Sequence, residues 1–295
     1  MRVLSFTFAL LLFAGAAAQS IGLSVSTLDN PFFVTLRDGA QAMADELGLE
    51  LLVTDARDSV STQISDIEDL VQRGIDVLIV NPTDSDAVVP AVMAANAAGV
   101  PVIAVDRGVG AGAEVAYFIA SDNVAGGSAA GEFICEMIGG SGPVVELEGI
   151  PGVSATRERG LGFNTFVSEN CPGIEIVARQ TANFNRAEGL SVMENILVAQ
   201  PEIEAVFAHN DEMALGALQA VEESGRDILV VGFDATDDAV AAVEACRMGA
   251  TVAQLPAQLG AQAVEAAAEI IANGAPAETV NVAVSLELVT NPDCY

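Results

Sequence analysis

From Ile21 onward the chain repeats one local pattern: a short β-branched run, then a longer amphipathic stretch with apolar residues at helical spacing. The runs IGLSV, LELLV, DVLIV, VPVIAV, GPVVEL, IEIVAR, EAVFA, DILVVG and ATVAQ read as strands. Segments such as FVTLRDGAQAMADELG, closed by Gly48 as a natural C-cap, read as helices. This βαβα order predicts parallel sheets with helices on both faces. So many strands exceed what one compact sheet usually holds, and two similar doubly wound α/β domains follow.

In doubly wound folds ligands sit beyond the carboxyl ends of the strands, so the polar and aromatic residues just after each strand are the ones to read. They are Ser26, Asn30, Phe32 and Phe33 after the first strand, Asn81 and Asp84 after the third, and Asp106 and Arg107 after the fourth. Further on come Arg157, Arg159, Phe184, Asn210, Asp211, Asp234 and Gln254. This set combines Asp, Asn, Gln and Arg with flat apolar rings, and that combination suits sugars. Their hydroxyls both donate and accept, and their C–H faces pack on aromatic rings. A buried hydroxyl left unmatched is penalised, so such a site gives specificity without catalysis.

Each position also has a local reading. Asn30 before Pro31 can be a helix N-cap with proline at the first helical position. Phe32 and Phe33 point about 100° apart on a helix, so at least one tends to leave the core face. In RERG, Arg157 and Arg159 can be a solvated helix start, and Asp234 can cap a helix beginning near Thr236. The shared placement at strand ends, rather than any one residue, favours a binding cleft.

Other chemistries fit worse. GVGAG at 108–112 follows a strand, but the next residues, AEVAYFIA, read as a strand where a dinucleotide fingerprint needs a helix. Lysine is absent, so no lysine-bearing phosphate loop exists, and His209 is the only histidine, with a packed or capping role. Asp106 and Asp234 could form a glycosidase pair, yet nothing nominates either as the acid. The net charge of −30, with all 11 basic residues Arg, repels nucleic acid and anionic membranes and suits a saline habitat whose salt screens self-repulsion.

The opening MRVLSFTFALLLFAGAAAQS reads as a secretory signal peptide over residues 1–18, cut near Ala18. Cys135, Cys171, Cys246 and Cys294 lack any CxxC spacing, and an even count in an oxidising compartment favours two disulfides, with three pairings open.

The blocks STLDNPFF, NPTDSDAV, VIAVDR, IASDNVAGG, SATRERGLGF, NDEMALGAL, VVGFD and VAQLP closely resemble the type I periplasmic sugar-binding proteins of ABC transporters, in their D-ribose-binding branch. The resemblance spans essentially the whole mature chain. It implies a periplasmic, monomeric protein that carries D-ribose to an ABC transporter permease, serves a chemotaxis receptor in some settings, and uses no cofactor or metal. It implies ligand contacts at Ser26, Asn30, Phe32, Phe33, Asp106, Arg107, Arg159, Phe184, Asn210, Asp234 and Gln254, and selects Arg159 over Arg157. Phe32 and Phe184 are then opposite walls with the sugar ring between them, and Phe33 adds lining. It also implies lobes of residues 19–120 plus 255–283 and 121–254 plus 284–295, joined by three chain crossings that close on the ligand. Chain proximity within that framework pairs Cys135 with Cys171 and Cys246 with Cys294.

Hexose-binding relatives commonly stack the sugar on Trp, which this chain lacks, so ribose is favoured over allose, another pentose or a sugar alcohol. A LacI-type regulator would need a basic helix-turn-helix of about 60 residues before the first strand, where the signal peptide stands. A secreted sugar-acting enzyme is the third reading.

Overall fold

The computed structural model describes residues 19–294; the signal-peptide reading lies outside the described residues. Strands β1 (Ser20–Val25), β2 (Glu50–Asp55), β3 (Val77–Val80), β4 (Val102–Val105) and β5 (Tyr117–Ser121) build a first sheet. Strands β6 (Ser141–Glu148), β7 (Gly173–Thr181), β8 (Ala205–Ala208), β9 (Leu229–Asp234) and β10 (Ala250–Ala253) build a second. The chain then returns to the first sheet with β11 (Val280–Val284) and finishes in the second with β12 (Glu287–Thr290). The orders are β11-β5-β4-β3-β1-β2 and β12-β10-β9-β8-β6-β7, and among the described residues only β12 pairs antiparallel, against β10.

The central strands explain themselves: VLIV of β3 and VIAV of β4 are buried along their whole length, as parallel strands covered on both faces must be. In the first lobe, α1 (Pro31–Leu47) packs with α9 (Pro256–Asn273) over Leu23, Leu36, Ile79 and Leu259. The opposite face carries α2 (Val60–Gln72) and α3 (Val89–Ala97) over Ile67, Leu78 and Val92. The second lobe repeats the plan. There α4 (Asn123–Met137) and α5 (Ser154–Asn170) cover Phe163, Phe207 and Phe233, while α6 (Arg186–Ala199), α7 (Asp211–Ser224) and α8 (Asp237–Glu244) cover Val206, Met213 and Val243.

The two-lobed α/β reading therefore holds. The chain crosses between sheets after β5, after β10 and between β11 and β12. Disulfides Cys135–Cys171 and Cys246–Cys294 form in the pairing that the resemblance implied, with Cα separations of 6.2 and 5.4 Å. Both lie in the second lobe, one tying α4 to the end of α5, the other tying the turn after α8 to the C-terminal segment.

Candidate functional site

Helix α1 starts where the sequence places it. The Asn30 side chain accepts from the Phe32 N–H at 2.9 Å, Pro31 opens the helix, and Gly48 closes it in the left-handed region at φ 69°. That start sets Phe32 and Phe33 at the carboxyl edge of the first sheet. Neither leaves the interior: they are 4% and 3% exposed and meet edge to face at 5.1 Å. Local helical geometry has at least one ring leave the core face; both nonetheless stay buried, because the opposite lobe closes over this turn. Both rings line a narrow cavity shared with Asn30, Asp106, Arg107, Ala155, Arg159, Phe184, Asn210, Asp234 and Gln254.

The cavity thus gathers every contact that the resemblance implies except Ser26, which is fully buried; of the other strand-end residues, Asn81, Asp84, Arg157 and Asp211 do not line it. The Ser26 N–H donates to Asn81 Oδ1 at 3.2 Å, and Asn81 Nδ2 donates to Asp106 Oδ2 at 3.0 Å. Ser26 and Asn81 therefore orient Asp106. Arg157 stays exposed and outside the cavity, whereas Arg159, two residues further along α5, is buried.

Each lobe contributes one carboxylate facing one guanidinium. On the first, Asp106 Oδ2 lies 3.6 Å from Arg107 Nε, and Arg107 Nη1 donates to the Pro82 carbonyl at 3.0 Å. On the second, Asp234 Oδ1 lies 3.6 Å from Arg159 Nη1 and accepts from Gln254 Nε2 at 2.8 Å. Arg159 is held on several sides: Nε donates to Asn123 Oδ1 at 2.8 Å, Nη1 to the His209 carbonyl at 2.6 Å, and its guanidinium sits 3.8 Å from the Phe233 ring centre. Helix α5 can bring it there because Gly127 of α4 has no Cβ; one would strike the Arg159 carbonyl.

Asp106 Oδ1 and Gln254 Oε1 are buried and have no hydrogen-bond partner among the described residues. Unsatisfied buried acceptors are costly, so these atoms are poised to accept from hydroxyl groups. Burial pushes the carboxyls of Asp106 and Asp234 above the usual range despite the nearby arginines, and lowers Arg107. Asp106, Phe184 and Asp234 also have positive φ, at 63°, 58° and 123°. For non-glycine residues such geometry is strained and concentrates at functional sites.

The lobes meet beside the cavity. Gly108 N–H donates to Ser154 Oγ at 2.9 Å, Ser154 N–H to Ser85 Oγ at 3.1 Å, and Ser85 N–H to the Gly152 carbonyl at 3.0 Å. This seam defines a closed arrangement.

Two local readings are settled. Asp234 is not a cap for α8, whose N-cap is Thr236; its strained backbone directs the carboxylate into the cavity instead. His209 is fully buried and bonds Glu146 at 3.0 Å, a packed role. Burial pushes the Glu146 carboxyl up, but hydrogen bonds from His209 and Asn164 and the charge of Arg179 more than offset it, leaving it below the usual range. Sequence reasoning missed Asn123 and Ala155. Asn123 follows an N-cap that Asp122 already fills, and a second cap-type residue that is redundant as a cap was the available signal. Among the described residues no group of three or more His, Cys, Asp or Glu is placed to hold a metal.

The chain is similar to several known sugar-binding proteins. The chain is 49% identical over 268 residues to the ribose import binding protein of Bacillus subtilis, covering 91% of this chain and 87% of that one. It is 50% identical over 256 residues to the ribose import binding protein of Escherichia coli, covering 86% of each. The solved structure of the Caulobacter myo-inositol binding protein bound to myo-inositol superposes with a TM-score of 0.88 at 34% identity, over 94% of both chains. A solute binding protein from Actinobacillus succinogenes with bound D-allose gives 0.85 at 34% identity, over 92% of this chain and 97% of that one. Residues 21–275 match the model of the periplasmic binding protein domain, and the chain belongs to that family.

Proposed function

We propose that the protein captures D-ribose between its two lobes and delivers it, unchanged, to an ABC importer. The observation that carries this reading is the convergence of two buried Asp–Arg pairs, with the unpartnered Asp106 Oδ1 and Gln254 Oε1, on one small phenylalanine-walled cavity. Paired Asp and Arg groups match neighbouring hydroxyls in a fixed fork, and aromatic rings match the C–H faces of a sugar. Ribose import by the relatives at about half identity supports the choice of sugar.

The ligand contacts in this reading are the cavity residues, with Ser26 acting through Asn81. The lobes are residues 19–120 plus 255–283 and 121–254 plus 284–295, and closure comes from ligand affinity that is greater for the closed state. The setting is the periplasm after cleavage near Ala18; the protein acts as a monomer, and an importer permease reads the closed form.

Calorimetry against pentoses, hexoses and polyols tests the assignment. Ribose is expected to bind in a one-to-one complex and to be recovered unchanged. A second reading, a cyclitol or allose, draws on the sugars bound in the similar structures. A clear response to one of these beside none to ribose would replace ribose; turnover of the sugar would replace the carrier role.

A further inference from the structure

Asp211 adjoins Asn210, but its fully buried carboxylate lies outside the cavity lining and bonds instead to the segments behind Asp234. Oδ2 accepts from the Thr236 N–H at 2.7 Å and from Thr236 Oγ1 at 3.2 Å. Oδ1 accepts from Thr251 Oγ1 at 2.7 Å, and Thr251 Oγ1 in turn accepts from the Ala235 N–H at 3.1 Å. One carboxylate therefore secures two successive backbone N–H groups, one directly and one through a hydroxyl. Successive N–H groups in left-handed turns form a concavity that binds anions. Here the turn is the strained one, with φ 123° at Asp234 and 55° at Ala235. Gly232 completes the arrangement, since a Cβ there would run into Asp211 Oδ1.

We propose that Asp211 is a positioning residue for sugar binding: directly through Thr236 and by relay through Thr251, it holds the 234–236 turn that aims Asp234 into the cavity. The inference rests on the sugar-binding reading above and deepens it. All the hydrogen-bond donors to Asp211 are neutral, and Asp234 and Glu212 are the charged groups whose fields it shares. Burial pushes its carboxyl up to about 7, so protonation competes with the acceptor role in the neutral range. An amide replaces the carboxylate only in part. Asp211→Asn sets an N–H₂ either against the Thr236 N–H or against Thr251 Oγ1, and in the second case the Thr251 O–H loses the acceptor it donates to.

The test is ribose calorimetry at pH 8 on the full chain, with melting temperatures recorded alongside. The series is wild type, Asp211→Asn, Thr251→Val, Thr251→Ser, Asp234→Asn and the Asp211→Asn/Asp234→Asn double variant. Asp211→Asn and Thr251→Val are expected to weaken binding about tenfold or more, and Thr251→Ser, which keeps the hydroxyl, to stay within about threefold of wild type. Because Asp211 acts through Asp234, its loss should vanish in the Asp234→Asn background, whereas a merely structural role would lower melting temperature and add independently. Wild-type affinity in both Asp211→Asn and Thr251→Val overturns the inference, as does an undiminished Asp211→Asn loss in the double variant. If Asp211→Asn does not fold, the Thr251 pair decides alone. A wild-type protein that binds no sugar in the panel would instead remove the underlying reading.

Discussion

The guanidinium of Arg107, on the first lobe, lies 5.3 Å from the ring centre of Phe184 on the second and 4.9 Å from that of Phe33. One buried cation thus spans the gap between the lobes, contacting an aromatic wall on each side while facing Asp106.

Arg107→Ala leaves Asp106 buried without its cation, and Asp234→Ala does the reverse to Arg159. Removing one partner of a buried charge pair costs about 2–5 kcal/mol of binding, much of it from the stranded charge. Calorimetry should therefore show ribose affinity falling by more than about thirtyfold in each variant. Near-wild-type affinity would remove that residue from the site. Arg107→Lys should recover little, because an ammonium cannot hold the Pro82 carbonyl and sit near two rings at once as a guanidinium does.

Much of this site was legible because of where strands end. Asn30, Asp106, Arg107, Asn210, Asp234 and Gln254 all follow apolar runs, and the fold carries strand ends to a common edge. What could not be read depends on partners from far along the chain. Strands β11 and β12 are short, largely exposed edge strands, so no buried run marks them. Asp211 stands at a strand end like the contacts, but only the position of Thr251 and the 234–236 turn shows that its carboxylate serves the backbone instead of the ligand. The burial of Phe32 and Phe33 follows from closure between lobes, which local helical geometry cannot anticipate.

Stability should rise as pH is lowered from 8 to 6. Burial raises the carboxyls of Asp58, Asp106, Glu158 and Asp234, and Asp211 reaches about 7. A carboxyl raised by folding keeps its proton in the folded state at pH values where the unfolded chain has lost it. Between 3.8 and about 7 the folded chain holds more of the Asp211 proton, so stability increases as pH falls through that window. Glu146, lowered on folding, has the opposite sign, but its contribution is lost only below 4.5. Urea midpoints should be higher at pH 6 than at pH 8, and Asp211→Asn should shrink the difference. An identical pH slope in the variant would contradict this.

Reduction should destabilise the protein without abolishing sugar affinity. The disulfides close chain separations of 36 and 48 residues, for which the chain-entropy model gives about 4 kcal/mol each. None of the four cysteines lines the cavity. Calorimetric scans with and without reductant should show a lower melting temperature after reduction, with ribose affinity at 25 °C little changed. Loss of binding while the chain remains folded would mean that the bridges shape the site.

Salt should stabilise the fold while leaving the pocket nearly indifferent. The chain carries 41 acidic residues against 11 arginines, so one-to-one pairing leaves most carboxylates without a cation. Several arginines are already committed on the surface, Arg186 to Glu212 and Asp238 and Arg247 to Glu222. The remaining like charges repel one another more in the compact state than in the expanded chain. Raising ionic strength from 0.1 to 1 M shortens the screening length from about 10 to about 3 Å, which reaches these exposed charges but hardly the buried Asp106–Arg107 and Asp234–Arg159 pairs. Melting temperature should therefore climb from low to molar NaCl while ribose affinity changes little. A flat or falling melting temperature would show that self-repulsion does not limit this fold, and a steep salt dependence of affinity would mean that surface charge, rather than the buried pairs, dominates binding.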